Sequence, residues 1–263
     1  DDERASPTPL VALVTEESHY SFLKASRVLD VRLVTVPVVP RTGVIDVNAL
    51  ERVLSEEGDG VFFIGLTSGS TVRGSFDPVR NVINAARRFD RSRRRHGDVN
   101  DGNDKQRRKR RNHIWIHVDG AWGGSAIFSP LQRKTLLDGI DLADSFTFNP
   151  HKMLGCPQQT SLFLTRHTGV LSRCHSTKAP YLFSPLKNGA SFDLGDDALT
   201  CGRRTDCVKL WAIMKYYGCG GLGQLVESKV NILGRFVEVL RRRRDFVLAC
   251  PPWPFNVNFY YLP

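Results

Sequence analysis

Two apolar runs in this 263-residue chain each end in a polar side chain that could take part in chemistry. The run before Asp119 reads I-W-I-H-V, and the run before Lys152 reads S-F-T-F-N-P-H. About one β-α-β unit separates them, which is the length that joins neighbouring parallel strands. Because open α/β sheets bind ligands at the carboxyl ends of their strands, this spacing predicts a carboxylate and an amine in one site.

An amine and a carboxylate placed in this way suit pyridoxal phosphate. That cofactor forms a Schiff base with a lysine and needs an acidic partner at its pyridinium nitrogen, which keeps the ring electron-accepting. Lys152 and Asp119 are the candidates for these two roles. Spacing alone also fits a simpler interpretation, in which Asp119 caps a turn and Lys152 is a solvated loop residue.

Short motifs along most of the chain favour the first interpretation. They read E-E-S-H-Y-S at 16–21, T-S-G-S-T-V-R-G-S-F-D-P at 67–78, H-V-D-G-A-W-G-G at 117–124, N-P-H-K at 149–152, Y-L-F at 181–183, F-D-L-G-D at 192–196, C-G-R-R-T-D at 201–206 and N-V-N-F-Y-Y-L-P at 256–263. In type and order they resemble the group II pyridoxal-phosphate-dependent amino acid decarboxylases, especially the glutamate and cysteine sulfinate decarboxylases. The resemblance implies an α/β chain of fold type I, like the large domain of aspartate aminotransferase, with a mostly parallel sheet sandwiched by helices.

The resemblance also assigns roles to residues around the lysine and the aspartate. His19 matches a histidine that stacks on the pyridine ring, and Ala121 matches a small residue under the opposite face. Thr71 matches a hydroxyl near the phenolic oxygen of the cofactor, and Asn149 and His151 match residues near its phosphate. Each position has a structural alternative: helix capping for His19, packing for Ala121, a turn for Thr71 and loop termination at N-P for the other two.

The reaction implied by the resemblance is decarboxylation of an amino acid. Lys152 would hold the cofactor until the substrate amine displaces it, and Asp119 would keep the ring able to accept electrons as carbon dioxide leaves. W-G-G at 122–124 and C-G-R-R-T-D-C at 201–207 resemble the acidic branch of the family, which implies glutamate, aspartate or cysteine sulfinate as substrate. Because the family builds its sites across a dimer interface, a homodimer is also implied.

Two departures from the family keep other functions open. The resemblance covers only the middle of the family's chains, without the N-terminal part that helps to bind phosphate and substrate carboxylate and without the C-terminal small domain. The segment S-P-L-K-N-G-A-S-F-D at 184–193 lacks the tyrosine that delivers the Cα proton in glutamate decarboxylases. The alternatives are a homologue with impaired or no catalysis, an aromatic amino acid decarboxylase, and an enzyme that protonates the cofactor and releases an aldehyde by-product.

The net charge of +10 raises the question of nucleic-acid binding. Residues 87–111 hold about a third of the 37 Lys and Arg residues and few carboxylates. Because residues 91–112 are almost free of apolar side chains, they are predicted to form a solvated, disordered insert. K-Q-R-R-K-R-R at 105–111 resembles a nuclear address or a nucleic-acid patch, but a charge confined to an insert argues against nucleic-acid binding by the fold.

Membrane and metal classes are disfavoured by the composition. No apolar run is long enough to span a bilayer, so no membrane association is expected. The six cysteines form no C-x-x-C pair, so no metal site is expected. The chain begins at Asp1 without a signal-like segment, which together with this cysteine pattern predicts a reduced, cytoplasmic protein.

Strands and helices are expected to alternate along the chain. The predicted strands are 10–15, 32–39, 61–66, 114–118, 144–148 and 160–165, and the predicted helices are 18–29, 47–57, 78–89, 130–138, 197–217 and 222–244. Asp46 is expected to cap the second helix, and glycines between 218 and 223 separate the last two. The alternation predicts a mostly parallel sheet covered on both faces. We expect residues 1–245 to form a large domain and 246–263 to begin a small one.

Overall fold

The computed structural model describes residues 9–97, 113–177, 179, 194–200 and 202–263. A six-stranded sheet in the order β2-β1-β3-β4-β5-β6 forms its centre. The strands are β1 Val11–Thr15, β2 Arg32–Val36, β3 Val61–Thr67, β4 Trp115–Gly120, β5 Ser145–Phe148 and β6 Leu162–Thr165. The first five are parallel, and β6 is antiparallel to β5. The prediction of a mostly parallel sheet is confirmed.

Helices flank this sheet. They are α1 Ser21–Leu29, α2 Val47–Glu57, α3 Val79–Gly97, α4 Pro130–Leu136, α5 Pro150–Met153, α6 Val170–His175 and α7 Cys207–Arg242. α2 and α3 cover one face, where Leu50 and Ile83 join the buried cluster that contains Leu13 and Ile64 of the strands. On the opposite face, the Phe22 ring of α1 packs over Gly65 of β3.

α2 forms where its sequence predicts, between a capping residue and a glycine. The Asp46 carboxylate accepts hydrogen bonds from the main-chain N–H groups of Asn48 and Ala49, at 2.9 and 3.2 Å. These two donors have no partner inside the helix, so the cap stabilises its first turn. The helix ends at Gly58, which has a φ of 59°.

α3 is longer than predicted, and this corrects the boundary of the basic insert. The helix continues to Gly97, so residues 91–97 are helical rather than part of a disordered segment. Arg93 pairs with Asp90 at 2.5 Å, one turn earlier in the helix, and its guanidinium lies 5.0 Å from the centre of the Phe89 ring. Arginine also has a high helix propensity, which favours a helix over 91–97, whereas the density of charge in this segment suggested disorder. The rest of the predicted insert, 98–112, lies outside the described residues.

Other element ends differ from prediction by a few residues. β2 ends at Val36 because Pro37 follows it, and a proline has no N–H for the ladder. α1 begins at Ser21 rather than at residue 18, and β6 begins at Leu162 rather than at 160.

The last two predicted helices form one element, α7. It begins at Cys207 rather than at residue 197, and it is interrupted where Gly218 takes a φ of 63° and a ψ of 175°. The predicted break between the two helical patterns is therefore confirmed at Gly218, while the glycines that follow it are helical. Residues of both parts of α7, among them Met214 and Gly223, line one cavity beside the sheet.

The C-terminal segment forms a small antiparallel pair, β7 Phe246–Leu248 with β8 Phe259–Tyr261. The segment between them reaches back to the loops that follow β2 and β3. Trp253 Nε1 donates to the Thr42 carbonyl at 3.3 Å, and Asn256 Nδ2 donates to the Val72 carbonyl at 2.7 Å. This segment therefore braces the loop that follows β3. A separate small domain starting at residue 246 stays a prediction.

Candidate active site

A cavity of about 450 Å³ opens at the carboxyl ends of β3, β4 and β5. All but one of the predicted site residues line it, namely His19, Thr71, Asp119, Ala121, Asn149 and Lys152. The sheet thus brings together side chains from widely separated parts of the chain. A larger cavity of about 1040 Å³ lies between α7 and the β5–β6 edge, but it contains none of the predicted site residues.

Asp119 is held at the end of β4 by main-chain contacts. Its Oδ1 accepts a hydrogen bond from Ala121 N at 2.9 Å, and its carbonyl accepts one from Ser68 N at 2.8 Å. In the sheet it lies opposite Thr67 of β3 and Thr147 of β5. These contacts position the carboxylate, which lines the cavity, and among the described residues its Oδ2 has no protein hydrogen-bond donor.

Lys152 lies on the short helix that follows β5. Pro150 occupies the first helical position, where its fixed φ favours the turn and its missing N–H costs nothing. Lys152 N donates to the Asn149 carbonyl at 2.9 Å, which closes this turn and sets the lysine beside the cavity. Its amine has no ion-pair partner in the part of the chain that the structure describes, so it is available to a ligand.

His19 lies just before α1 and serves the helix as well as the cavity. Ser21 N donates to its Nδ1 at 3.3 Å, so the imidazole contacts the first residue of α1, whereas the N-cap position itself is occupied by Tyr20, which makes no side-chain cap bond. With Nδ1 accepting that bond, a neutral imidazole carries its proton on Nε2. The ring lies against Tyr20, with 4.2 Å between the ring centres.

Thr71 lies on a loop that is held from within. The Gly69 and Ser70 N–H groups both donate to the Ser75 carbonyl, at 2.8 and 3.0 Å, and the two serine hydroxyls lie 2.8 Å apart. Gly69 has a φ of 85°, and a Cβ there would lie 2.6 Å from Gly123 N. Only glycine allows the loops after β3 and β4 to approach so closely.

His151 is the predicted site residue that the cavity does not include. Its Nδ1 lies 2.6 Å from the Thr160 carbonyl oxygen and 3.1 Å from Thr160 N. The imidazole is thus engaged with the main chain of the loop before β6. Its predicted contact with a phosphate group stays a prediction.

His117 lines the cavity but was not among the predicted site residues. β4 alternates between two faces, with Ile116 and Val118 buried in the core and His117 on the side of Asp119. This period of two was visible in the sequence and would have placed His117 in the site. Burial lowers the pKa of His117, and the nearby Asp119 charge opposes this effect.

The W-G-G motif has a packing role. A Cβ on Gly123 would lie 2.4 Å from the Phe76 ring, and one on Gly124 would lie 2.5 Å from Phe148 Cβ. Both glycines are therefore required by the fold of the turn after β4. A motif that the fold requires carries less information about the substrate, and within it only Trp122 lines the cavity.

The family model described as "Pyridoxal-dependent decarboxylase conserved domain" matches residues 2–262. The chain belongs to this decarboxylase family. Cysteine sulfinic acid decarboxylase of Rattus norvegicus is 37% identical over 99% of this chain and 49% of its own length. Acidic amino acid decarboxylase GADL1 of Bos taurus is 34% identical, over 97% of this chain and 46% of its own. This decarboxylase-family chain therefore spans about half the length of these curated relatives.

Solved structures confirm the fold of this decarboxylase-family chain. The crystal structure of mouse CSAD superposes with a TM-score of 0.80 and 34% identity, covering 97% of this chain and 49% of that one. Oryza sativa TDC, solved with PLP and tryptamine, gives a TM-score of 0.79 at 27% identity, covering 98% of this chain and 49% of that one. The expected fold type I, with a mostly parallel sheet flanked by helices, is confirmed.

The described residues provide neither a membrane span nor a metal site. No described helix has the length and apolar character needed to cross a bilayer. Within the described ranges, no cluster of His, Cys, Asp and Glu side chains is arranged to hold a metal ion.

Proposed function

We propose that this chain forms the cofactor-binding core of a pyridoxal-phosphate-dependent decarboxylase that acts on an acidic amino acid. The observation that carries the proposal is the meeting of the Asp119 carboxylate and the Lys152 amine in one cavity at the strand ends. Cysteine sulfinate, glutamate and aspartate are the proposed substrates. The names of the relatives, cysteine sulfinic acid and acidic amino acid decarboxylases, support this substrate class.

The residues of the cavity fit the cofactor. Lys152 offers an amine without a protein counter-ion, and Asp119 keeps one carboxylate oxygen free for a ring nitrogen. The small side chain of Ala121 leaves room for a flat ring, and the His19 imidazole lines the same cavity. An amine, a carboxylate and a slot between small and aromatic groups are the elements that this cofactor requires.

Bound in this cavity, pyridoxal phosphate would supply an electron-accepting ring for the carbon that loses carbon dioxide. The protein's own part is to bind and orient. Lys152 would hold the aldehyde group of the cofactor until a substrate amine takes its place, and Asp119 would keep a proton on the ring nitrogen. Thr71 would donate to the phenolic oxygen, and Asn149 and His151 would hold the phosphate, His151 from outside the lining of this cavity, where its Nδ1 contacts the Thr160 main chain.

Chemical trapping tests cofactor binding. The purified chain is mixed with pyridoxal phosphate, reduced with borohydride and digested, and peptide mass spectrometry locates the added mass. We expect the mass on Lys152 and its loss in Lys152→Ala. Lys134→Ala is the matched control, because Lys134 is an exposed lysine on α4 outside the cavity. Modification spread over surface lysines at equal yield would reject the site.

Activity is tested by release of labelled carbon dioxide from cysteine sulfinate, glutamate, aspartate and an aromatic amino acid. We expect release from an acidic substrate and a loss of several orders of magnitude in Asp119→Ala, because the charge that supports the ring nitrogen is gone. Asp119→Glu, which keeps the charge, should retain more activity than the alanine variant. Release from the aromatic amino acid alone would replace the acidic assignment with the aromatic alternative.

A second function, cofactor binding without efficient turnover, is favoured by one observation. Residues 184–193 contain no tyrosine where the glutamate decarboxylases carry their proton donor, and this segment lies outside the described residues. Cofactor trapped on Lys152 without release of carbon dioxide would establish this impaired homologue. An aldehyde product together with loss of the cofactor would instead establish protonation on the cofactor.

The proposal includes a homodimer and a cytoplasmic location. Each described cysteine has a free thiol, which agrees with a reducing compartment: Cys156, Cys174, Cys207, Cys219 and Cys250. Analytical ultracentrifugation of the purified chain, with and without cofactor, measures the first property. A monomer at all concentrations would remove the dimer from the proposal.

A further inference from the structure

Three side chains on neighbouring strands form a hydrogen-bonded relay beside the cavity. Trp115 and His117 lie on the same face of β4, and Ser145 of β5 lies opposite His117. Trp115 Nε1 and His117 Nδ1 are each 2.8 Å from Ser145 Oγ. Because Ser145 is only 3% exposed, its hydroxyl depends on these two partners rather than on water.

The chemistry of the donors fixes the direction of the relay. An indole N–H can only donate, so Ser145 Oγ accepts from Trp115. Among the described residues, the Ser145 proton then has only His117 Nδ1 as an acceptor. All three groups are satisfied only when His117 Nδ1 accepts the Ser145 proton, which assigns the proton of the neutral imidazole to Nε2. That nitrogen has no hydrogen-bond partner in the described part of the chain.

A positive charge on His117 would break this arrangement. Protonated Nδ1 becomes a donor, so the buried Ser145 hydroxyl would lose its acceptor, which is unfavourable. The flanking rings of Phe63 and Phe163 lie 6.1 Å away on either side, and they offer no counter-charge. Burial accordingly lowers the pKa of His117.

The charged groups that face His117 are those of the cavity. Asp119 stands two residues further along the same face of β4, and its charge favours the protonated imidazole. Glu17, His19 and Lys152 line the same space from other segments. A cationic His117 would attract the Asp119 carboxylate. The imidazolium and the protonated ring nitrogen of the cofactor would then compete for the single negative charge of Asp119.

We propose that the Trp115–Ser145–His117 relay makes His117 a positioning residue, which holds a neutral N–H beside Asp119 and so reserves the carboxylate charge for the ring nitrogen of the cofactor. The inference rests on the proposed function for its purpose. The state of the relay itself is a property of the free chain and can be measured without any cofactor.

The first experiment is nuclear magnetic resonance of the chain labelled with ¹⁵N at its 7 histidines. His117→Phe identifies the His117 signals and keeps an aromatic ring between the two phenylalanines. We expect the neutral Nε2–H form at neutral pH. In Ser145→Ala we expect mixed tautomers and a titration moved to higher pH. Ser68→Ala is the matched control, because it removes an equally buried serine hydroxyl that has no part in the relay.

The second experiment measures the affinity for pyridoxal phosphate at about pH 6 and about pH 8, on either side of the ordinary histidine pKa. The affinity of Ser145→Ala should fall about tenfold more at the lower pH than that of the wild type or Ser68→Ala. That factor corresponds to about 1.4 kcal/mol, an ordinary value for one partly screened charge pair.

The outcomes separate the relay from the proposed function. Two results would overturn the relay whether or not cofactor binds. One is a neutral His117 with its proton on Nδ1, and the other is a His117 titration whose midpoint is the same in the wild type and in Ser145→Ala. Equal pH dependence of cofactor affinity in Ser145→Ala and Ser68→Ala overturns the positioning role. If the wild type binds no cofactor, the proposed function fails, and the resonance result still decides the state of His117.

Discussion

At the scale of single residues, two carboxylates near the site differ because of their surroundings. Asp119 lines the cavity, whereas Asp77 is buried and does not line it. Asp77 accepts hydrogen bonds from Thr67 N at 2.7 Å and from Ile45 N at 2.8 Å. It therefore ties the end of β3 to the segment before α2. Burial raises the pKa of Asp77 to about 7, against the lowering effect of these two N–H donors.

The raised pKa of Asp77 predicts a dependence of stability on pH. The folded chain binds this proton more tightly than the unfolded chain, whose carboxyl pKa is near 3.8. The contribution of Asp77 to stability is therefore complete below that value and is lost as the pH rises through about 7, by up to about 4 kcal/mol. Urea unfolding at several pH values should show this slope in the wild type and its loss in Asp77→Asn. Identical slopes in both proteins would contradict the prediction.

The sequence locates the site better than it describes its details. Asp119 and Lys152 were predictable because each follows an apolar strand, and parallel strands bring their ends together. His117 was missed, although the alternation in β4 places it beside Asp119. The position of the His151 side chain could not be predicted from the sequence. Its hydrogen-bond partner is the main chain of Thr160, and a pattern of side-chain types does not reveal a main-chain partner.

At the scale of elements, the tight turn after β4 sets the geometry of the site. Gly123 N donates to the Ser68 carbonyl at 3.0 Å, and its Cα packs under the Phe76 ring. Gly123→Ala should lower the free energy of unfolding by roughly 1–3 kcal/mol, since the added methyl overpacks this contact. Gly220→Ala in α7 is the control, because apart from its chain neighbours and the backbone of its own helix no atom lies within 4 Å of the added Cβ, and the helix favours alanine. Denaturant unfolding that finds the two variants equally stable would argue against the close packing.

The end of α3 predicts that two deletions behave differently. Asp90 pairs with Arg93 and accepts from Ile114 N at 3.3 Å, so it joins the helix directly to the start of β4. Replacing 98–112 by a short flexible linker keeps these contacts and should change stability by less than about 0.5 kcal/mol. Removing 91–112 also deletes Arg93 and two helical turns, and it should cost roughly 1–3 kcal/mol. Thermal unfolding of both variants measures the difference, and equal losses would place the boundary elsewhere.

Element boundaries were predictable where a local signal existed. Asp46 and Gly58 mark both ends of α2, and Gly218 marks the interruption of α7. The end of α3 was missed because its last turns are held by contacts with Asp90 and Phe89, while their composition resembles a disordered tail. Local composition could not reveal a buried carboxylate that anchors two distant segments.

At the scale of the whole molecule, the C-terminal segment supports the site from outside. A Cβ on Gly74 would lie 2.4 Å from Asn256 Cβ, and the Asn256 amide donates to Val72, next to Thr71. The loop that carries Thr71 is therefore held by a segment that is far from it in sequence.

Asn256→Ala tests this support. We expect cofactor affinity to fall by about threefold to tenfold, because the Thr71 loop loses a hydrogen bond worth on the order of 1 kcal/mol. Asn258→Ala is the control, since among the described residues its side-chain amide donates only to Cys250 Sγ, at 3.6 Å. Titration with pyridoxal phosphate followed by absorbance measures both variants. An unchanged affinity in Asn256→Ala would show that the loop holds its position without the C-terminal segment.

The main-chain bonds between the two loops have a consequence for how this site can change. Ser68 N donates to the Asp119 carbonyl, and Gly123 N donates to the Ser68 carbonyl. Both hydrogen bonds join main-chain atoms, so no side chain takes part in them. Mutation at Thr71 or Trp122 therefore alters the wall of the cavity while Asp119 stays where it is. Such a site tolerates substitution. Laboratory evolution can change the side chains that line the cavity, and with them the substrate, while the main-chain hydrogen bonds keep Asp119 in position.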